Sequence, residues 1–147
     1  MIIFGDKTVA LFDLWSIEHF FTGCNSASII GLFYHKFSAQ KNEKTLFLLQ
    51  WLTLLALELY WESVEFYFEA GYSHERITYW FQGVEYFANR LITDPLITVA
   101  GLFAVRAFPK IHWVAMPFSL VWLYFNIIYF DNCMEIQNRF FPYILGF

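Results

Sequence analysis

Leu57-Glu58-Leu59-Tyr60-Trp61-Glu62-Ser63-Val64-Glu65-Phe66 places three carboxylates in the second half of an apolar segment, residues 45–68, which is near the ~20 residues a spanning helix requires. Positions i, i+4 and i+7 share one helix face, and Glu69 extends the row at i+11. An ionisable group at membrane depth costs several kcal/mol unless it pairs or reaches water. The segment is therefore expected to turn an apolar face to lipid and its acidic face inward.

Composition agrees with a membrane class. Mean hydropathy is +0.45, 59% of residues are apolar and only 15% are charged, against about 25% charged in a typical soluble domain. Residues 1–147 read as a single integral membrane domain. Nineteen Phe, nine Tyr and six Trp suit lipid-facing surfaces, interfacial belts or contacts with other subunits. A net charge of -4 and the lack of a basic stripe argue against a nucleic-acid partner. No basic n-region leads into an apolar run at the start, so no cleaved signal peptide is expected. Cys24 and Cys133 belong to distant parts of the pattern, and neither a disulfide nor a thiol-redox role is expected.

Four apolar stretches, about 11–34, 45–68, 87–108 and 111–130, predict an all-α polytopic bundle of about four transmembrane helices. The connector between helices two and three, Gly71 to Asn89, carries Ile77, Tyr79, Trp80 and Phe81 and suggests a short interfacial helix. Lys36, Lys41 and Lys44 mark the first connector, and Arg106, Lys110 and His112 the third. Positive loops stay in the cytoplasm, so both termini are expected outside. Asp94-Pro95 would start a helix afresh, yet Asp94 to Phe108 spans only about 22 Å at the helical rise. The third segment must either continue upstream with a kink or be broken.

Counting from the cytoplasmic helix ends places His19, Glu58, Asp94 and Asn126 at one depth, 13 to 15 residues or roughly 20–22 Å up. Glu62 and Arg90 match slightly above, with Glu18, Glu65, Asp131 and Asn132 nearer the outer surface. His19, Glu58, Glu62 and Asp94 are the candidate catalytic residues, and Arg90 is the expected counter-charge. The wider group of Glu18, Glu65, Asn126 and Asp131 completes a polar layer that can equally serve to fix helix register. Glu69 is expected near the water boundary, so Glu62→Gln should harm the protein more than Glu69→Gln.

Spacing limits the chemistry. A dinuclear carboxylate centre wants a Glu-x-x-His pair from each of two helices, and none is present. No metal centre is expected; a mononuclear one would have to draw on His19, Glu58 or Glu62, and Asp94. Bis-histidine haem is disfavoured because His35 and His112 lie at the other interface. Ser16, Ser26 and Cys24 lack an oxyanion motif, and the residues name no cofactor.

The Leu57 to Glu65 run, His19 in Ser-Ile-Glu-His-Phe-Phe-Thr-Gly, Asp94 with Gly101 seven residues on, and Asp131-Asn132 resemble a family of uncharacterised small inner-membrane proteins of alphaproteobacteria, more distantly VanZ-like. Phe66, Arg90 and Tyr86 depart from the family's usual residues at their positions. The resemblance implies a bacterial-type inner-membrane protein with a polar site in the outer leaflet, and no established activity. Two functions follow. One is an accessory or structural subunit of a larger membrane assembly, its partners being lipids, other membrane subunits or a second copy. The other is a stand-alone membrane protein or enzyme that binds or modifies a lipid-linked or headgroup substrate. Trp51, Trp122 and Phe125, at mid-depth in their segments, incline the sequence reading to the subunit.

Overall fold

A computed structural model describes residues 2–37, 42–129 and 134–140, without the side chains of 136, 138 and 140. Apart from a small ribbon at the start, the described chain is helical. Strands β1 (Ile2–Phe4) and β2 (Ala10–Phe12) pair in parallel, Ile2 opposite Ala10 and Phe4 opposite Phe12. Helices α1 (Leu14–Phe37), α2 (Glu43–Glu69), α3 (Glu75–Phe81), α4 (Asp94–Ala107), α5 (His112–Tyr124) and α6 (Glu135–Phe140) follow.

Local chemistry sets the helix ends. Asp13 caps α1, its Oδ1 accepting from Trp15 N–H at 2.7 Å and Ser16 N–H at 3.0 Å, while Ser16 Oγ accepts the Asp13 N–H in return. Asn42 does the same for α2 through Thr45 N–H at 2.8 Å. At the other end of α2 the Tyr72 N–H reaches Tyr67 O and the Gly71 N–H reaches Phe68 O, with Gly71 at φ 82°. That pairing satisfies the last carbonyls and needs the left-handed conformation glycine takes without cost.

The third segment does continue upstream of Pro95. A π-helical turn, Asn89–Thr93, runs into α4, and the Asp94 N–H donates to Asn89 O. Proline has no N–H and its ring collides with the carbonyl four residues back; the wider π turn relieves that clash and keeps the chain helical. A second π turn, Phe125–Tyr129, ends α5, and the continuous helix Pro109–Tyr129 is long and apolar enough to cross a membrane. It is the one such helix among the described residues. The carboxylates of α2, and Arg90, Asp94 and Arg106 in residues 89–107, hold down the apolarity of those two segments.

α1 is central, packed on α4, α5 and α2, with α2 also against α4. Its approach to α4 is backbone to backbone. A Cβ at Gly23 would strike the Thr98 carbonyl, and one at Gly101 would lie 2.6 Å from Phe20 O and 2.7 Å from Cys24 N. Small residues at such a crossing are the usual device of helices that associate without a hydrophobic driving force. Polarity runs opposite to that of a water-soluble domain. Among the described residues seventeen polar or charged side chains are buried against twelve hydrophobic ones, while Leu32, Phe33, Leu96, Trp113, Leu120 and Ile127 are more than half exposed. The apolar core is one modest group of Ala27, Ile30, Leu54 and Leu102, backed by Tyr34, Phe47 and Trp51.

Candidate functional site

The end of α1 that begins at Asp13, the second half of α2 and the π turn before α4 bring the polar groups together. His19 stands at the centre. Its Nδ1 lies 2.6 Å from Glu58 Oε1, and its Nε2 lies 3.6 Å from both Glu62 Oε1 and Asp94 Oδ2. Ser16 Oγ donates to Asp94 Oδ1 at 2.9 Å, and Thr98 Oγ1 donates to the His19 carbonyl at 3.2 Å. His19, Glu58, Glu62 and Asp94 thus lie together. The 3.6 Å separations exceed a hydrogen bond. Both Glu62 oxygens are buried with no hydrogen-bond partner.

A second knot lies beside the first. Lys7 Nζ and Arg90 Nη2 both bind Glu69, one on each oxygen, and the Glu85 N–H donates to Glu69 Oε2 at 2.9 Å. Arg90 also lies 3.4 Å from Glu85 and 3.6 Å from Glu62 Oε2. Lys7 sits over the Phe81 ring, and its carbonyl accepts the Tyr86 N–H at 2.8 Å. Asn89 donates to Glu85 Oε1 at 2.7 Å. Burial, reinforced by the charges of Asp94, Glu65 and Glu62, pushes the Glu85 carboxyl up to about 10. Glu85 is thus protonated at neutral pH, which leaves the Arg90 charge to Glu69.

Three expectations need correcting. Glu69 is 4% exposed rather than at a water boundary, because the ribbon turn carrying Lys7 folds over it. Arg90, expected to neutralise Glu62, is taken first by Glu69, whose oxygen it can reach directly from the π turn. Asn126, placed at the same depth as His19, bonds elsewhere: its Nδ2 donates to Trp122 O and its carbonyl accepts from Trp80 Nε1. Depth alone does not fix the direction a residue faces around the bundle axis. Glu18 is buried and takes the Thr22 hydroxyl at 2.8 Å; Glu65 is buried on the acidic face of α2. Asp131, with Asn132 and Cys133, lies outside the described residues.

Sequence reasoning missed Lys7, Asp13, Glu85 and Asn89. Only Asp13 carried a signal, as an N-cap candidate before an apolar run.

A cavity of about 340 Å³ opens beside His19. Trp15, Leu54, Leu57, Trp61 and Leu123 form its apolar wall, and Glu18, His19, Glu58 and Thr98 its polar one. Trp15 is held edge-on by Trp80 and Trp122. Glu62 and Asp94 lie outside the lining, so the Nδ1 side of the imidazole faces the cavity side and the Nε2 side faces protein. Compared with protein-family models, with curated proteins and with solved structures, the chain matches none of them.

Proposed function

We propose that the chain is an integral membrane protein whose four long helical segments, α1, α2, residues 89–107 and residues 109–129, cross a bacterial-type inner membrane, with the lysine-bearing 35–44 connector in the cytoplasm. The inverted polarity carries this reading. Buried polar side chains outnumber buried hydrophobic ones and large apolar side chains cover the outside, an arrangement that water would penalise and lipid rewards. Glycine-mediated contact between α1 and α4 points the same way. If the orientation holds, a cysteine introduced at Gln40 reacts with a membrane-impermeant thiol reagent only after the cells are permeabilised. Reaction in intact cells reverses it.

Within that bundle, the cavity beside His19 receives an amphipathic ligand, a lipid or lipid-linked molecule, its apolar part against Trp15, Leu57 and Trp61. Its head meets Glu18 and the His19–Glu58 pair. That acidic wall favours a head rich in hydrogen-bond donors, such as amine or hydroxyl groups, over a bare anion. The accessory-subunit reading rests on fewer observations. Trp51 packs on the chain's own core and Trp122 on Trp15 and Phe118, so of the three mid-depth rings only Phe125 keeps substantial exposure, at 41%. Native mass spectrometry of the detergent-extracted protein is expected to find a retained lipid that Trp61→Ala loses. A lipid-free wild type in a large hetero-assembly supports the subunit instead.

A further inference from the structure

We infer that the inner side of His19 is a binding site for one divalent transition-metal cation, held by His19 Nε2, Glu62 and Asp94, with Glu58 as the positioning residue for the imidazole. Each ligand comes from a different helix: His19 from α1, Glu62 from α2 and Asp94 from the start of α4. One such ion ties all three together.

Four observations converge on this point. Nε2 lies 3.6 Å from Glu62 Oε1 and 3.6 Å from Asp94 Oδ2. Those separations are too long for hydrogen bonds, and each suits a pair of atoms sharing a cation at about 2.0–2.2 Å from each; ligand atoms of His19 and Glu62, together with Glu58, all lie within 4.8 Å of one another. Glu62 is 1% exposed, yet neither of its oxygens has a hydrogen-bond partner. Buried carboxylate oxygens without donors are costly, so something else must satisfy them. Opposite Nε2, Nδ1 meets Glu58 at 2.6 Å; a metal-ligating histidine ordinarily gives its other nitrogen to a carboxylate in this way, which fixes tautomer and ring direction.

Charge supplies the fourth. Apart from the protonated Glu85, the buried acids are Asp13, Glu18, Glu58, Glu62, Glu65, Glu69 and Asp94, against Lys7, His19 and Arg90 as buried bases. Lys7 and Arg90 are committed to Glu69. Two carboxylates with one divalent ion make a neutral unit, which a low-dielectric interior accepts far more readily than two bare anions. One imidazole with two carboxylates suits Zn²⁺, Mn²⁺ or Fe²⁺; the imidazole disfavours Mg²⁺ and Ca²⁺.

The ion and the cavity's ligand share the His19–Glu58 pair, while Glu62 and Asp94 do not line that cavity. The full chain in mild detergent is stripped with a chelator, reloaded with Zn²⁺ and analysed for metal per chain, with affinity read by competition against a chelating dye. One equivalent is expected. Glu62→Gln and Asp94→Asn should weaken binding more than about 100-fold, and Glu58→Gln about 10–100-fold, as expected for an outer-shell partner. Glu43→Gln, exposed at the far end of the same helix, should leave it unchanged. Circular dichroism of each metal-free variant confirms that it is folded. X-ray absorption of the zinc-loaded wild type should show one imidazole and otherwise oxygen donors. Less than a tenth of an equivalent bound, sulfur or several imidazoles around the ion, or undiminished binding by a folded Glu62→Gln would overturn the site. Trp61→Ala separates the two proposals, since it should shed lipid and keep zinc.

Discussion

Glu69 and Glu62 are two turns apart on one face of α2, both buried, and they meet opposite fates. Glu69 receives Lys7 and Arg90 and a backbone N–H, so each oxygen is satisfied. Glu62 has Arg90 Nε and His19 Nε2 each at 3.6 Å and no hydrogen bond at all. A closed ion-pair network holds a structure together; an open one, with stranded oxygens, holds a place for something that arrives. The ribbon turn accounts for the difference, because it delivers Lys7 to one carboxylate and nothing to the other.

The sharpest way to break the comparison is Glu69→Gln. Removing that charge strands two buried cations, and loss of one partner of a buried pair costs about 3–5 kcal/mol. Thermal unfolding in detergent is expected to show a large fall in Tm or a loss of folded yield. This reverses the order expected from the sequence, in which Glu62 mattered more. A Tm within two degrees of wild type would mean that the knot is not structural.

Gly101→Val comes next. Its side chain would strike the α1 backbone at Phe20 and Cys24, and overpacking of this kind costs about 1–3 kcal/mol. Separating α1 from α4 should also pull Asp94 from Ser16 and His19 while leaving Lys7 on Glu69. Metal or ligand retention is therefore expected to fall more than helical content does.

Glu62→Gln in chelator should be close to neutral, or stabilising by up to about 1 kcal/mol, because it replaces an unsatisfied buried carboxyl without stranding a committed cation. Chemical denaturation of the metal-free protein measures it. A loss comparable to that of Glu69→Gln would show that the 3.6 Å contacts with Arg90 and His19 already act as full pairs.

The last test concerns Glu85. Its folded value, about 10, lies above the ordinary 4.5, so ionisation favours the unfolded chain. Its stabilising contribution is complete below about pH 4.5 and is lost progressively as pH climbs toward 10. Melting temperatures should therefore decline from pH 5 to pH 9, and Glu85→Gln should flatten the decline. An equally steep decline in the variant would assign the dependence to other groups.

Much of this was legible from residues alone. Segment lengths gave the helices, and the spacing of Glu58, Glu62, Glu65 and Glu69 gave the acidic face. Counting residues brought His19, Glu58 and Asp94 to one level, because helical rise fixes depth to within a turn. Depth says nothing of azimuth, however, so Asn126 shared the level and missed the cluster. Pro95 announced a disturbance without saying that a π turn would absorb it. The choice of Glu69 over Glu62 by Arg90, and the arrival of Lys7 from 62 residues away, were decided by tertiary structure. A short ribbon with no periodic signal sets that contact, and local sequence carries no record of a partner so distant along the chain.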